Sequence, residues 1–165
     1  MDADTRQHEI LTLLADIEYA MLTTRSRDGS FNCRPLQTLQ IDAHAAFWFF
    51  TNIGSDKCAD VRADPRVNLS YADPSRKIFV AISGQAELPV DRAKIDELWT
   101  PAQLLFFPQG RDDPSLSLLK ITPNTARYWD GNESMAGVLL KLGKALLLGE
   151  ASDLGASGRL GLRRK

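Results

Sequence analysis

The chain has 165 residues, enough for one domain with a sizeable core. Its 44% apolar and 25% charged content is that of an ordinary globular chain, and a net charge of −1 provides no global field to draw it to nucleic acid. No apolar run approaches the roughly 18 residues of a membrane span. The start, Met1-Asp2-Ala3-Asp4, lacks the basic and apolar regions of a signal peptide, so cytoplasmic residence is the default expectation. Cys33 and Cys58 make neither a CxxC motif nor a disulfide framework and read as small packing residues. The two histidines, His8 on a polar helix face and His44 in a turn, do not suggest a metal site.

Taken in order, Thr5–Ile17 places Ile10, Leu13, Leu14 and Ile17 on one helix face. Tyr19–Arg25 reads as a strand, Asp28-Gly29 as a hairpin turn, and Phe31–Ile41 as the return strand. Pro35 cannot donate to a ladder, which puts its strand at an edge, a bulge or a local opening. After a turn at Asp42–Ala45 comes the aromatic run Phe47–Thr51, a buried strand. A helix follows from Asp56 to Ala63, and Asp64-Pro65 ends it. Val67–Tyr71 and Lys77–Leu88 alternate as half-buried strands, with Gly84 marking a bulge or bend. Asp91 starts a helix to about Trp99, Pro101–Phe107 is a second short helix, and Pro108–Pro114 is a loop. Leu116–Thr122 and Thr125–Trp129 are strands broken by Pro123-Asn124, and Glu133–Leu148 is largely helical. Residues 1–150 thus form a single domain, and 151–165, rich in Gly, Ser and Arg, a flexible C-terminal tail. The short connections exclude βαβ crossovers. They favour a mainly β (α+β) antiparallel sheet closed into a small barrel with flanking helices.

The stretch Phe47–Lys57 carries the chemistry. A strand runs through a polar turn, Asn52 to Gly54, into a helix capped by Ser55. Free N–H groups and the macrodipole at such a helix start suit an anion. Lys57 in the first turn is unfavourable for the isolated helix, and a bound phosphate reverses that. Arg34 can offer a bidentate fork to the same anion.

Three groups of residues resemble the pyridoxamine 5′-phosphate oxidase-like split barrels. They are Arg34-Pro35-Leu36, the run Phe49 to Lys57, and, in the general stress protein 26 branch, Phe107 to Pro114 with Tyr128-Trp129-Asp130-Gly131. The resemblance spans residues 8–155 and implies a six-stranded split β-barrel, a homodimer, and FMN in each of two interface clefts. It assigns the phosphate to Arg34, Ser55 and Lys57. It places Phe50 and Thr51 against the flavin and its ribityl chain, and Pro35 and Leu36 beside the isoalloxazine. Phe107 and Trp129 are further candidates for flavin contact, with interface packing as the other reading of Trp129. Two departures matter. Asp56 stands where the oxidase proper commonly has a basic residue, which implies weaker phosphate affinity. Arg159-Leu160-Gly161-Leu162 lacks the histidine of the oxidase's substrate-binding Arg-x-His element, which argues against pyridoxamine phosphate oxidase activity.

The expected function is that of an FMN-binding general stress protein, a flavin-dependent oxidoreductase with a reduced nicotinamide as the candidate donor. No side chain stands out as an acid or base, so no catalytic residue is named. The alternatives are a non-enzymatic flavin carrier or stress sensor and, more remotely, a tetrapyrrole or deazaflavin binder.

Overall fold

In the computed structural model, which describes Leu11, Thr12, Leu14, residues 16–130 and residues 156–161, the chain enters the sheet through a hairpin. Strands β1 (Tyr19–Arg25) and β2 (Phe31–Gln37) pair across it. Gly29 takes φ 88°, a left-handed conformation glycine adopts without steric cost. Asp28 fixes the turn by accepting from the Ser30 backbone N–H and hydroxyl.

The barrel closes through the next few residues. β3 (Gln40–Ile41) pairs with β4 (Phe47–Asn52), whereas β2 pairs with β1. The Thr38 N–H still donates to the Glu18 carbonyl beside β1, while the Leu39 N–H donates to Trp48 in β4. The ladder is therefore handed from one neighbour to the other within two residues. β5 (Arg66–Asp73), β6 (Ile78–Glu87) and β7 (Leu116–Asp130) complete an antiparallel order β2-β1-β5-β6-β7-β4-β3, whose two ends are consecutive in the chain. Counted with β2 and β3 as two stretches of one strand, this is the expected six-stranded barrel. β8 (Ala156–Gly161) adds to the far half of β7, so part of the segment expected as a tail has a ladder partner.

The helices α1 (Asp56–Ala63) and α2 (Arg92–Leu98) flank the barrel. Asp91 caps α2, accepting from the Lys94 N–H at 2.9 Å. The short helix expected over Pro101–Phe107 is a 3₁₀ helix, Pro101–Leu105, and a second 3₁₀ turn, Gly110–Asp112, lies within the expected loop. Leu116–Asp130 is one strand, not two. Pro123 faces Gly84 and Thr125 faces Ser83, so Asn124 is an extra residue and the bulge accommodates the proline without ending the strand. Leu11, Thr12 and Leu14 are helical, as expected, while the rest of that helix through residue 10, His8 and Glu133–Leu148 lie outside the described residues.

β4 explains its own composition. Phe47 and Phe49 point into the barrel with Leu22, Leu69, Ile82 and Ile121. Trp48 and Phe50 point outward into a second core with Leu98, Phe107 and Leu118. A strand apolar on both faces shows no alternation. At about 1.5–3 kcal/mol for each fully buried large side chain, this doubly covered strand is the natural anchor of the fold. Among the described residues no helix is long and apolar enough to cross a membrane.

Candidate functional site

Where β4 ends, the chain turns sharply into α1. The Asn52 side chain accepts from the Gly54 N–H at 2.9 Å, and the Cys58 thiol donates to the Asn52 carbonyl at 3.3 Å. Ser55 has the extended backbone of an N-cap (φ −75°, ψ 155°), but its hydroxyl caps no backbone N–H. It points instead to the Cys58 sulfur at 3.5 Å and accepts from Lys57 Nζ at 3.2 Å.

A cleft of about 390 Å³ opens beside this turn. Pro35, Leu36 and Gln37 of β2 form one wall, and Phe50, Thr51 and Asn52 of β4 the other. Lys57 reaches in from α1, Tyr19 from β1, and Gln103, Phe106 and Phe107 close the side under α2. β2 and β4 diverge here because β2 follows β1 until Gln37 and joins β4 only through β3. The cleft is thus a gap left by barrel closure. Phe50 holds its outer wall against Trp99 and Phe107, at ring separations of 6.0 and 6.3 Å.

Lys57 is the cation of the cleft. It is half-buried and makes no ion pair among the described residues; the Ser55 hydroxyl is its hydrogen-bond partner. Burial pulls its pKa below the ordinary lysine value, and the nearby Arg34 guanidinium pulls the same way. Arg34 itself is held from behind. It donates to the Thr24 hydroxyl at 2.6 Å and lies 3.6 Å from the Asp60 carboxylate. Asp60, only 7% exposed, accepts from Thr24 at 2.7 Å, from Ser26 at 2.9 Å and from Asn32 at 3.3 Å. Burial alone would raise its pKa; those hydrogen bonds and Arg34 outweigh it and lower the value.

Of the nine residues expected at the site, six line the cleft: Pro35, Leu36, Phe50, Thr51, Lys57 and Phe107. Arg34 and Ser55 sit next to Lys57 but outside that lining. Trp129 lies elsewhere, on β7 opposite Phe79, and is 41% exposed. Asp56 is exposed. Sequence reasoning did not find Tyr19, Gln37, Leu39, Asn52, Gln103 or Phe106 as lining residues, nor the Asp60 network behind Arg34. Asn52 was legible as a turn residue, but the others depend on which strands the barrel brings together. A larger hollow of about 540 Å³, lined by Leu11, Thr12, Leu14 and residues 16–18 and 38–42, presents Asp16, Glu18 and Asp42 and, among the described residues, no cation, which disfavours an anionic ligand there. Among the described residues no group of three or more His, Cys, Asp or Glu is placed to hold a metal.

Comparisons with known proteins agree with the fold. A protein from Jannaschia sp. CCS1 assigned as a general stress protein 26 superposes with a TM-score of 0.71 and 28% identity, covering 96% of this chain and 99% of that one. The general stress FMN/FAD binding protein of Xanthomonas citri gives 0.67 and 27%, covering 78% and 91%. Protein bli-3 of Neurospora crassa is 20% identical over 161 residues, 92% of this chain and 77% of that protein. The family model described as pyridoxamine 5′-phosphate oxidase like matches residues 5–153, nearly the whole length, and this chain belongs to that family.

Proposed function

We propose that the protein is an FMN-binding general stress protein that works as a flavin-dependent oxidoreductase, with the cleft beside α1 as its flavin site and a homodimer as its working form. One observation carries this reading: a half-buried lysine with no carboxylate partner among the described residues, set at a helix start and opening on an apolar cleft. A desolvated cation there favours an anionic ligand, and the phosphate of FMN supplies two negative charges at most. The cleft volume falls within the range of small-molecule sites, and its walls of Pro35, Leu36, Phe50 and Phe107 suit a planar ring. The residues present therefore fit the group. Lys57 and Arg34 would hold the phosphate, with the Ser55 hydroxyl between them and the chain, and Thr51 and Asn52 would meet the ribityl chain. The similarity to the FMN/FAD binding protein of Xanthomonas citri supports the same assignment.

Bound flavin would supply the electron-transfer chemistry. The chain's part is to grip the phosphate, hold the ring between two strands and keep water from one face. None of the described lining residues is a His, Asp, Glu or Cys, which leaves Tyr19 and Lys57 as the lining groups with a proton to give. That observation favours a second reading, a flavin carrier or stress sensor without turnover.

One experiment separates these readings. Protein purified under native conditions is analysed by mass spectrometry and absorbance for a bound chromophore, then mixed anaerobically with NADH or NADPH. FMN with rapid bleaching and repeated turnover on reoxidation supports the oxidoreductase. FMN that stays oxidised supports the carrier. A protein that neither retains nor rebinds FMN refutes both, and a Soret band points to a tetrapyrrole.

A further inference from the structure

Gln103 is the one cleft residue whose burial has no internal explanation. It sits on the 3₁₀ turn Pro101–Leu105 and is 4% exposed. Its backbone is fully engaged: the N–H donates to Thr100 at 3.0 Å, and the carbonyl accepts from Phe106 and Phe107 at 3.0 and 2.9 Å. Those bonds fix where the side chain starts. The carboxamide makes no hydrogen bond to any described residue, and Gln103 is one of the residues that line the cleft. A primary amide offers two donors and an acceptor, and leaving them unpaired in a buried position is unfavourable. Native proteins seldom tolerate that except where a ligand or ordered water completes the set.

The chemistry of the missing partner follows from the amide. A carboxylate or phosphate would use only its NH₂, and an ammonium only its oxygen. A neutral edge with a donor beside an acceptor uses both. The walls around Gln103 are Leu36, Phe50, Phe106 and Phe107, which favour a flat heterocycle over a polar chain. We propose that Gln103 is a ligand-binding residue that reads the imide edge of the flavin ring, pairing with its N3–H and an adjacent carbonyl. This rests on the flavin reading above and adds to it a residue selecting for an unmodified imide.

The test is a fluorescence titration of the full chain with FMN and with 3-methyl-FMN, whose N3 cannot donate. Wild type is expected to bind the methylated flavin about 10-fold more weakly, the scale of one net hydrogen bond. Gln103→Leu should bind both flavins with the same, similarly reduced affinity. Its ligand-free melting temperature should be no lower than that of wild type, because no protein partner is lost. A wild type that does not distinguish the two flavins, or a Gln103→Leu variant with unchanged FMN affinity, overturns the assignment while leaving the flavin site standing. A wild type that binds neither flavin overturns both.

Discussion

Lys57 stands where a charge is unfavourable until something binds. Its native pKa lies below the unfolded value, first because of burial and then because of Arg34. Charging it therefore costs more in the folded than in the unfolded state, and that cost persists at every pH below the native pKa. Replacing Lys57 by Met should raise the ligand-free melting temperature near pH 7, and the gap to wild type should close as alkaline pH discharges the lysine. The same change should weaken FMN binding by about 1.5–3 kcal/mol, the range for hydrogen bonds to charged groups. Calorimetry across pH together with a flavin titration reads both effects, and a variant that binds FMN as well as wild type would remove Lys57 from the phosphate site. Asp60 has the opposite sign. Its native pKa is depressed below 3.8, so its contribution is present above the unfolded value and is lost as pH falls through the native one. Asp60→Asn should cost about 1–3 kcal/mol at neutral pH by disturbing the bonds to Thr24, Ser26 and Arg34. It should also flatten the acid limb of stability, measured as the urea midpoint from neutrality down to about pH 3.

The elements were more legible than their pairings. β1, α1 and the cap of α2 follow from local signals: alternation at Ala20, Leu22 and Thr24, a cap site at Ser55, and Asp91 before a helical run. The aromatic run at β4 announced burial but not that it is shared between two cores, because a doubly covered strand carries no period. The site shows the same division. Lys57 and Arg34 were visible as cations needing an anion, whereas Gln103 fell inside the expected short helix Pro101–Phe107 with nothing to mark it as buried in the same cleft lining as Phe50. Pro123-Asn124 misled for a related reason: a proline reads as a strand end unless the neighbouring strand can absorb an extra residue. Gly84 is what permits this. A β-carbon there would lie 2.5 Å from the Thr122 carbonyl oxygen, which is backbone and cannot move away cheaply. Gly84→Ala should therefore destabilise the protein by about 1–3 kcal/mol, the usual cost of overpacking. The loss should appear in thermal unfolding, with FMN affinity unchanged in the folded fraction, because the bulge lies away from the cleft lining.

At the scale of the whole molecule, the barrel's outer face does not look like a monomer's surface. Tyr19 and Met21 on β1, Phe79 on β6 and Trp129 on β7 are between 41% and 53% exposed. They are not scattered. Phe79 pairs with Trp129 on one side and with Ala72 of β5 on the other, and Met21 faces Ser70 two residues from Ala72. The result is an apolar row across adjacent strands, the kind of patch that marks an interface. Tyr19 belongs both to this row and to the cleft lining. A second copy seated on the row would therefore also cover the cleft mouth, and this links the proposed dimer to the proposed flavin site. The double change Phe79→Lys with Trp129→Lys introduces like charges on the paired positions and should shift the protein from dimer to monomer in light scattering at micromolar concentration. FMN affinity should fall with it, although neither residue lines the cleft. A wild type that is monomeric under those conditions removes the dimer. A variant that becomes monomeric yet keeps wild-type FMN affinity retains the dimer but detaches it from the flavin site, leaving each protomer's cleft sufficient by itself.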